Sequence, residues 1–155
     1  MREVWPPPTD RRIPVAGTRP GVRALGDSRL GYAVLAVAAV GVFVASVVPP
    51  PAAATGPPAP RPLGVPLDKW IHAGAYGVLA LLLCFATRAR RTRTVVLAAV
   101  VVAAYGLAIE FVQAPLPARS FDLVDAAANA TGAALAALAW RVRTALEDRR
   151  DRSRR

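Results

Sequence analysis

Apolar residues in this chain gather into four long runs rather than into stripes. Residues 30–48 form 19 positions without a charge. Residues 70–87 form 18, with His72 as the one group that could carry charge, and residues 94–113 form 20, with Glu110 near the end. Residues 123–140 form 18, with Asp125 and Asn129 near the start. At about 1.5 Å per residue each run reaches roughly 27–30 Å as a helix, the thickness of a bilayer core. A soluble amphipathic helix would confine its apolar side chains to one face; these runs do not. The pattern predicts an all-α, polytopic membrane protein built as a four-transmembrane-helix bundle, with spans near 30–48, 70–87, 94–113 and 123–140.

The connecting segments have a different character. Residues 49–69 hold eight prolines, among them Pro49, Pro57 and Pro66. Such a stretch favours extended polyproline backbone and makes a semi-stiff tether. The basic residues 1–29 are rich in Pro, Gly and Arg and are expected to be disordered, and 141–155 reads as a second basic tail. The Ala52-Ala53-Ala54 triplet resembles a signal-cleavage spacing. The run before it is too long for a signal core and follows 29 residues, so it is read as a retained span.

Charge orients the bundle. Arg2, Arg11, Arg12, Arg19, Arg23 and Arg29 precede the first run, and Arg88, Arg90, Arg91 and Arg93 fill the link between the second and third. Seven more arginines follow residue 140, bringing these regions to 17 of the 20 basic residues. Only Arg61, Lys69 and Arg119 lie in the other two loops. The positive-inside rule puts both termini in the cytoplasm and the loops 49–69 and 114–122 outside. A multi-pass protein of the cell membrane is expected. The net charge of +10 is thus a topology signal. No nucleic-acid partner is expected, because the basic segments lack aromatic interleaving on a folded face. Cys84 has no second cysteine to pair with and reads as a small buried hydrophobe.

Composition then singles out a site. The chain has one Lys, one His, one Gln and one Asn: Lys69, His72, Gln113 and Asn129. All four fall at the predicted outer ends of spans. Asp68 and Lys69 lie four and three residues before His72, Glu110 three before Gln113, and Asp122, Asp125, Asn129 and Gly132 follow one stripe of the fourth helix. Arg119 lies in the short loop beside them. Ionisable groups in a span are costly and mark a site. Pure helix locking by inter-helix hydrogen bonds is the competing explanation, but these side chains outnumber what one bond per helix requires.

Residues 68–76, Asp68-Lys69-x-x-His72-x-x-x-Tyr76, resemble the opening motif of the VanZ-like family. Tyr105-Gly106, Glu110-x-x-Gln113 and Pro117-x-Arg119-x-x-Asp122-x-x-Asp125-x-x-x-Asn129-x-x-Gly132 resemble its second motif. Together they cover residues 68 to about 138. The resemblance implies a small prokaryotic integral membrane protein. The family's namesake accompanies glycopeptide resistance and raises resistance to teicoplanin; for most members the biochemical activity is not established. An antibiotic-resistance role follows only by that resemblance.

Three functions fit. The leading one binds or modifies an envelope lipid or its anionic headgroup at an outer-leaflet pocket, the partner being a membrane lipid or a lipid-linked envelope precursor. Lys69, Gln113, Arg119, Asp122 and Asn129 would hold the ligand, Lys69 and Arg119 taking phosphate or carboxylate. His72, Glu110 and Asp125 would serve as acid and base if chemistry occurs. The second is a non-enzymatic accessory protein of the cell envelope, packed against an envelope protein. The third is a small transporter or flippase component, which would need a homo-oligomer to enclose a path. No cofactor is expected. A metal held by His72, Glu110, Asp122 and Asp125 is not expected either, because there is a single imidazole and Lys69 and Arg119 compete for the carboxylates.

Overall fold

The computed structural model describes residues 28–48, 60–117 and 120–154. Four α-helices follow in order: α1 Ser28–Val47, α2 Leu67–Ala86, α3 Thr92–Gln113 and α4 Leu123–Ser153, with a 3₁₀ turn at Pro62–Gly64 before α2. There is no strand among the described residues. All four helices are long and apolar enough to cross a membrane. Large apolar side chains such as Val37, Val40, Leu97 and Val100 are exposed on the outside of the bundle. Water would penalise such a surface and lipid does not.

Helix ends have local causes. Pro66 lacks an N–H and stands just before α2, where the first N–H groups of a helix have no intrahelical partner. Helix α2 therefore starts at Leu67, three residues before the apolar run, and takes Asp68 and Lys69 into its first turn. At the other end Thr87 Oγ1 donates to the Leu83 carbonyl at 2.7 Å and Arg88 turns to a φ of +49°, which ends α2. Helix α3 stops at Gln113 ahead of Pro115 and Pro117. Asp122 caps α4: its Oδ1 accepts from the Val124 N–H at 2.7 Å. Helix α4 does not stop at Trp140. It continues to Ser153, because 141–153 holds five arginines and no Gly or Pro, and Arg favours helix outside the membrane as well.

Ser28 and Arg29, expected in a disordered segment, form the first turn of α1; residues 1–27 lie outside the described residues. So do the Ala52-Ala53-Ala54 triplet with residues 49–59, and Arg119.

Packing centres on α2 against α4, then α3 against α4, while α1 sits against α2 and touches α3 less. The α2–α4 contact depends on Gly132: a Cβ there would collide with the backbone of Ala73. The backbones approach closely because nothing separates them, the usual device of membrane helix pairs. Two buried clusters stack along the bundle. Tyr76, Leu79, Ala80, Val102 and Ala133 form one; Cys84, Ala89, Val95, Ala98 and Ala137 form the other. Cys84 is fully buried. The alternating helix directions bring the end of α1, the start of α2, the end of α3 and the start of α4 to one end of the bundle, here called the lysine end. The Arg88–Arg93 link and the last part of α4 meet at the opposite, arginine end.

Candidate functional site

At the lysine end, Lys69 reaches across from α2 to α4. Its Nζ lies 2.7 Å from Asp122 Oδ2, 2.7 Å from Asp125 Oδ1 and 3.1 Å from Asp68 Oδ2. An ammonium has three N–H donors, and here each meets a carboxylate. The side chain is only 14% exposed. Asp122 stands just outside the span. Its carboxyl lies below the ordinary carboxylate range, first because it accepts from Lys69 and then because the Val124 N–H also points at it.

His72 lies one turn further along α2. Its Nδ1 is 3.0 Å from Asn129 Oδ1, and its Nε2 is 3.7 Å from Asp125 Oδ1. With the amide oxygen of Asn129 as acceptor, Nδ1 carries the proton and donates. The Nε2 lone pair is then left facing a carboxylate. Asn129 is 0% exposed, and its Nδ2 has no partner among the described residues. Gly106 of α3 makes the room for this amide: a Cβ there would stand 2.9 Å from Asn129 Nδ2 and 2.7 Å from the Tyr76 ring.

Glu110 is the most buried acid, at 1% exposure. Its Oε2 accepts from the Asp122 backbone N–H at 3.0 Å, and it forms no ion pair among the described residues. One ligand atom from each of His72, Glu110 and Asp125 lies within 4.8 Å of the others.

Gln113 turns the other way: its Nε2 donates to the Ser46 carbonyl of α1 at 2.8 Å. Beside it is a cavity of about 160 Å³, lined by Val42, Ser46, Ile71, His72, Tyr76 and Gln113 among others. Its walls are mostly apolar, with His72 and Gln113 as polar points. His72 is thus shared between the cavity and the carboxylate cluster.

A family model described as VanZ/LLP1 matches residues 32–144 of the chain. The chain belongs to the VanZ/LLP1 family. Neither the curated proteins nor the solved structures hold a match to it. The matched stretch runs from the start of α1 to beyond the lipid-length part of α4, so the family's region is the whole four-helix unit. Among the described residues, the polar motif residues of this VanZ/LLP1 chain meet at the lysine end. Lys69, His72, Glu110, Asp122, Asp125 and Asn129 converge there, and Gln113 borders the cavity from α3.

Two features alter the expected roles. Lys69 is engaged by three carboxylates rather than held open for phosphate. Glu110, expected as an acid or base, accepts from the backbone of the α4 cap. Sequence reasoning also missed the α1 contribution. Tyr105 donates from its hydroxyl to the Ala39 carbonyl at 2.7 Å, and Gln113 to that of Ser46. Both acceptors are backbone atoms in the second half of α1, where Ser46 is the only polar side chain. Tyr76, on the cavity wall, did carry one, standing four residues after His72 and hence on its face.

Proposed function

We propose that this VanZ/LLP1 membrane protein binds or modifies the polar head of an envelope lipid in the cavity beside His72, with the lysine end at the outer leaflet. The observation that carries the reading is the position of His72. Its imidazole lines a mostly apolar cavity and at the same time contacts the buried polar cluster through Asn129 and Asp125. A headgroup entering between α1 and α2 would leave its chains on lipid-exposed side chains and meet His72 and Gln113 inside. His72 is the group able to move a proton at such a ligand, with Asp125 and Glu110 behind it as acids of the same cluster. The arginine distribution supports the orientation, with both termini in the cytoplasm of a cell-membrane protein.

The test is the lipid that copurifies in mild detergent, extracted and quantified by mass spectrometry. Wild-type protein is expected to retain one headgroup class at about one molecule per chain. His72→Gln should lower that retention at least tenfold with an unchanged helical circular-dichroism spectrum. Equal retention by the folded variant overturns the reading.

A further inference from the structure

Among the described residues, the lysine end sets four carboxylates against one ammonium. The carboxylates are Asp68, Asp122, Asp125 and Glu110, and the ammonium is that of Lys69. The three aspartates share that ammonium. Glu110, the most deeply buried of the four, meets only a backbone N–H among the described residues. A buried carboxylate without a cation is expensive, and more so in a membrane.

A second observation points to the same place. In the tautomer that Asn129 selects, His72 Nε2 presents a lone pair toward Asp125 Oδ1 at 3.7 Å. Asp125 Oδ1 already accepts from Lys69 at 2.7 Å, so the lone pair left without a partner here is the imidazole's. Glu110 supplies a further acceptor, and one ligand atom from each of His72, Glu110 and Asp125, on three different helices, lies within 4.8 Å of the others. Donors bound to one ion at about 2.0–2.2 Å stand no more than about 4.4 Å apart, so modest side-chain rotations bring all three onto one centre. The outer contacts suit a metal site as well. The imidazole donates its other N–H to Asn129, and Glu110 is held by the Asp122 N–H; such partners orient first ligands and set the tautomer.

We propose that His72 Nε2, Glu110 and Asp125 hold a divalent transition-metal ion at the lysine end. One imidazole with two carboxylates is a borderline donor set that favours Zn²⁺ over Mn²⁺, and either over Mg²⁺. Lys69 does compete for Asp125, whose Oδ1 it holds at 2.7 Å, so that carboxylate would be shared between the ammonium and the ion. Lys69 leaves Glu110 alone, and with a metal on Asp125 it keeps Asp68 and Asp122. The ion adds positive charge next to the cavity, which would let an acidic cluster receive an anionic headgroup. That last consequence rests on the lipid reading; metal binding does not.

The experiment uses full-length protein, delipidated in detergent, so metal binding and lipid binding can fail separately. Isothermal titration with Zn²⁺ is expected to give one site per chain, with Mn²⁺ weaker and Mg²⁺ weaker still. Glu110→Gln and His72→Gln should each raise the Zn²⁺ Kd at least tenfold, while Asp68→Asn changes it less than threefold. Pulsed electron paramagnetic resonance of Mn²⁺-loaded wild type needs no variant and should show coupling to one imidazole nitrogen. Absence of that nitrogen from bound Mn²⁺ overturns the proposal. So does a Zn²⁺ Kd above about 1 mM, or Zn²⁺ binding unchanged in folded Glu110→Gln.

Discussion

The two ends of this bundle both carry ion pairs, yet they put them in different surroundings. At the arginine end Arg90 lies 3.2 Å from Asp148 and 3.9 Å from Glu147, and Arg143 lies 3.0 Å from Glu147. These guanidinium side chains are 63% and 66% exposed. At the lysine end the ammonium is mostly covered, and Glu110 and Asn129 are sealed inside. Exposed pairs contribute about 0–1 kcal/mol because water and salt already solvate each partner. A buried charge depends on its partner, since removing one leaves the other stranded. The arginines serve as a surface that stays in water. The lysine network is part of the interior.

The sharpest way to break this contrast is to remove one cation from each end. Lys69→Met strands Asp122 and Asp125 and is expected to destabilise the bundle by about 3 kcal/mol. Arg90→Met should cost less than about 1 kcal/mol. Reversible unfolding in mixed micelles, followed by circular dichroism, measures both. Equal losses would erase the distinction.

Glycines sharpen it further. Gly106→Ala drives a methyl into Tyr76 and Asn129 beside the polar network, an overpacking expected to cost about 2 kcal/mol. Around Gly41 of α1 there is open space for a Cβ. Gly41→Ala should therefore be neutral or slightly stabilising, by no more than about 1 kcal/mol. The same unfolding assay compares them, and a costly Gly41→Ala would mean that α1 is packed on its outer face.

The smallest effect is acidic. Asp122 has its carboxyl depressed by Lys69 and the Val124 N–H. Its contribution is therefore fully present above the ordinary carboxylate value of about 3.9 and disappears as pH falls through the lower folded value. Stability should hold from pH 7 to about pH 5 on this account and decline below about pH 4. Asp122→Asn should remove part of that decline. An unchanged acid limb in the variant would show that Asp122 gains nothing from its neighbours.

Much of this was legible before any coordinates. Four uncharged runs of lipid length announce four helices, because a bilayer accepts few alternatives for an uninterrupted apolar segment. The motif spacing placed Lys69, His72, Glu110, Asp122, Asp125 and Asn129 at span ends, and helical direction brought those ends together. Shared faces within a helix were readable as well, as for Asp122, Asp125 and Asn129 on α4. Contacts between helices were less so. Spacing suggested Asp68 or Lys69 as neighbours for His72. The imidazole instead turns to Asn129 and Asp125 on α4, since the close approach at Gly132 brings that helix within reach. Similarly, nothing in the side chains of α1 announces that Ala39 and Ser46 offer their carbonyls to Tyr105 and Gln113.

The sequence by itself determined the number of helices, their apolar character and the residue types gathered at one end. These depend on transfer free energies, which are local and nearly additive along the chain. Tertiary structure alone decided which acid Lys69 neutralises and which it leaves alone. It also decided which imidazole nitrogen faces the carboxylates and where a cavity opens. Those outcomes turn on separations of a few ångströms between helices. They are set by whether a glycine or an alanine stands at the crossing, and no pattern along one helix contains them.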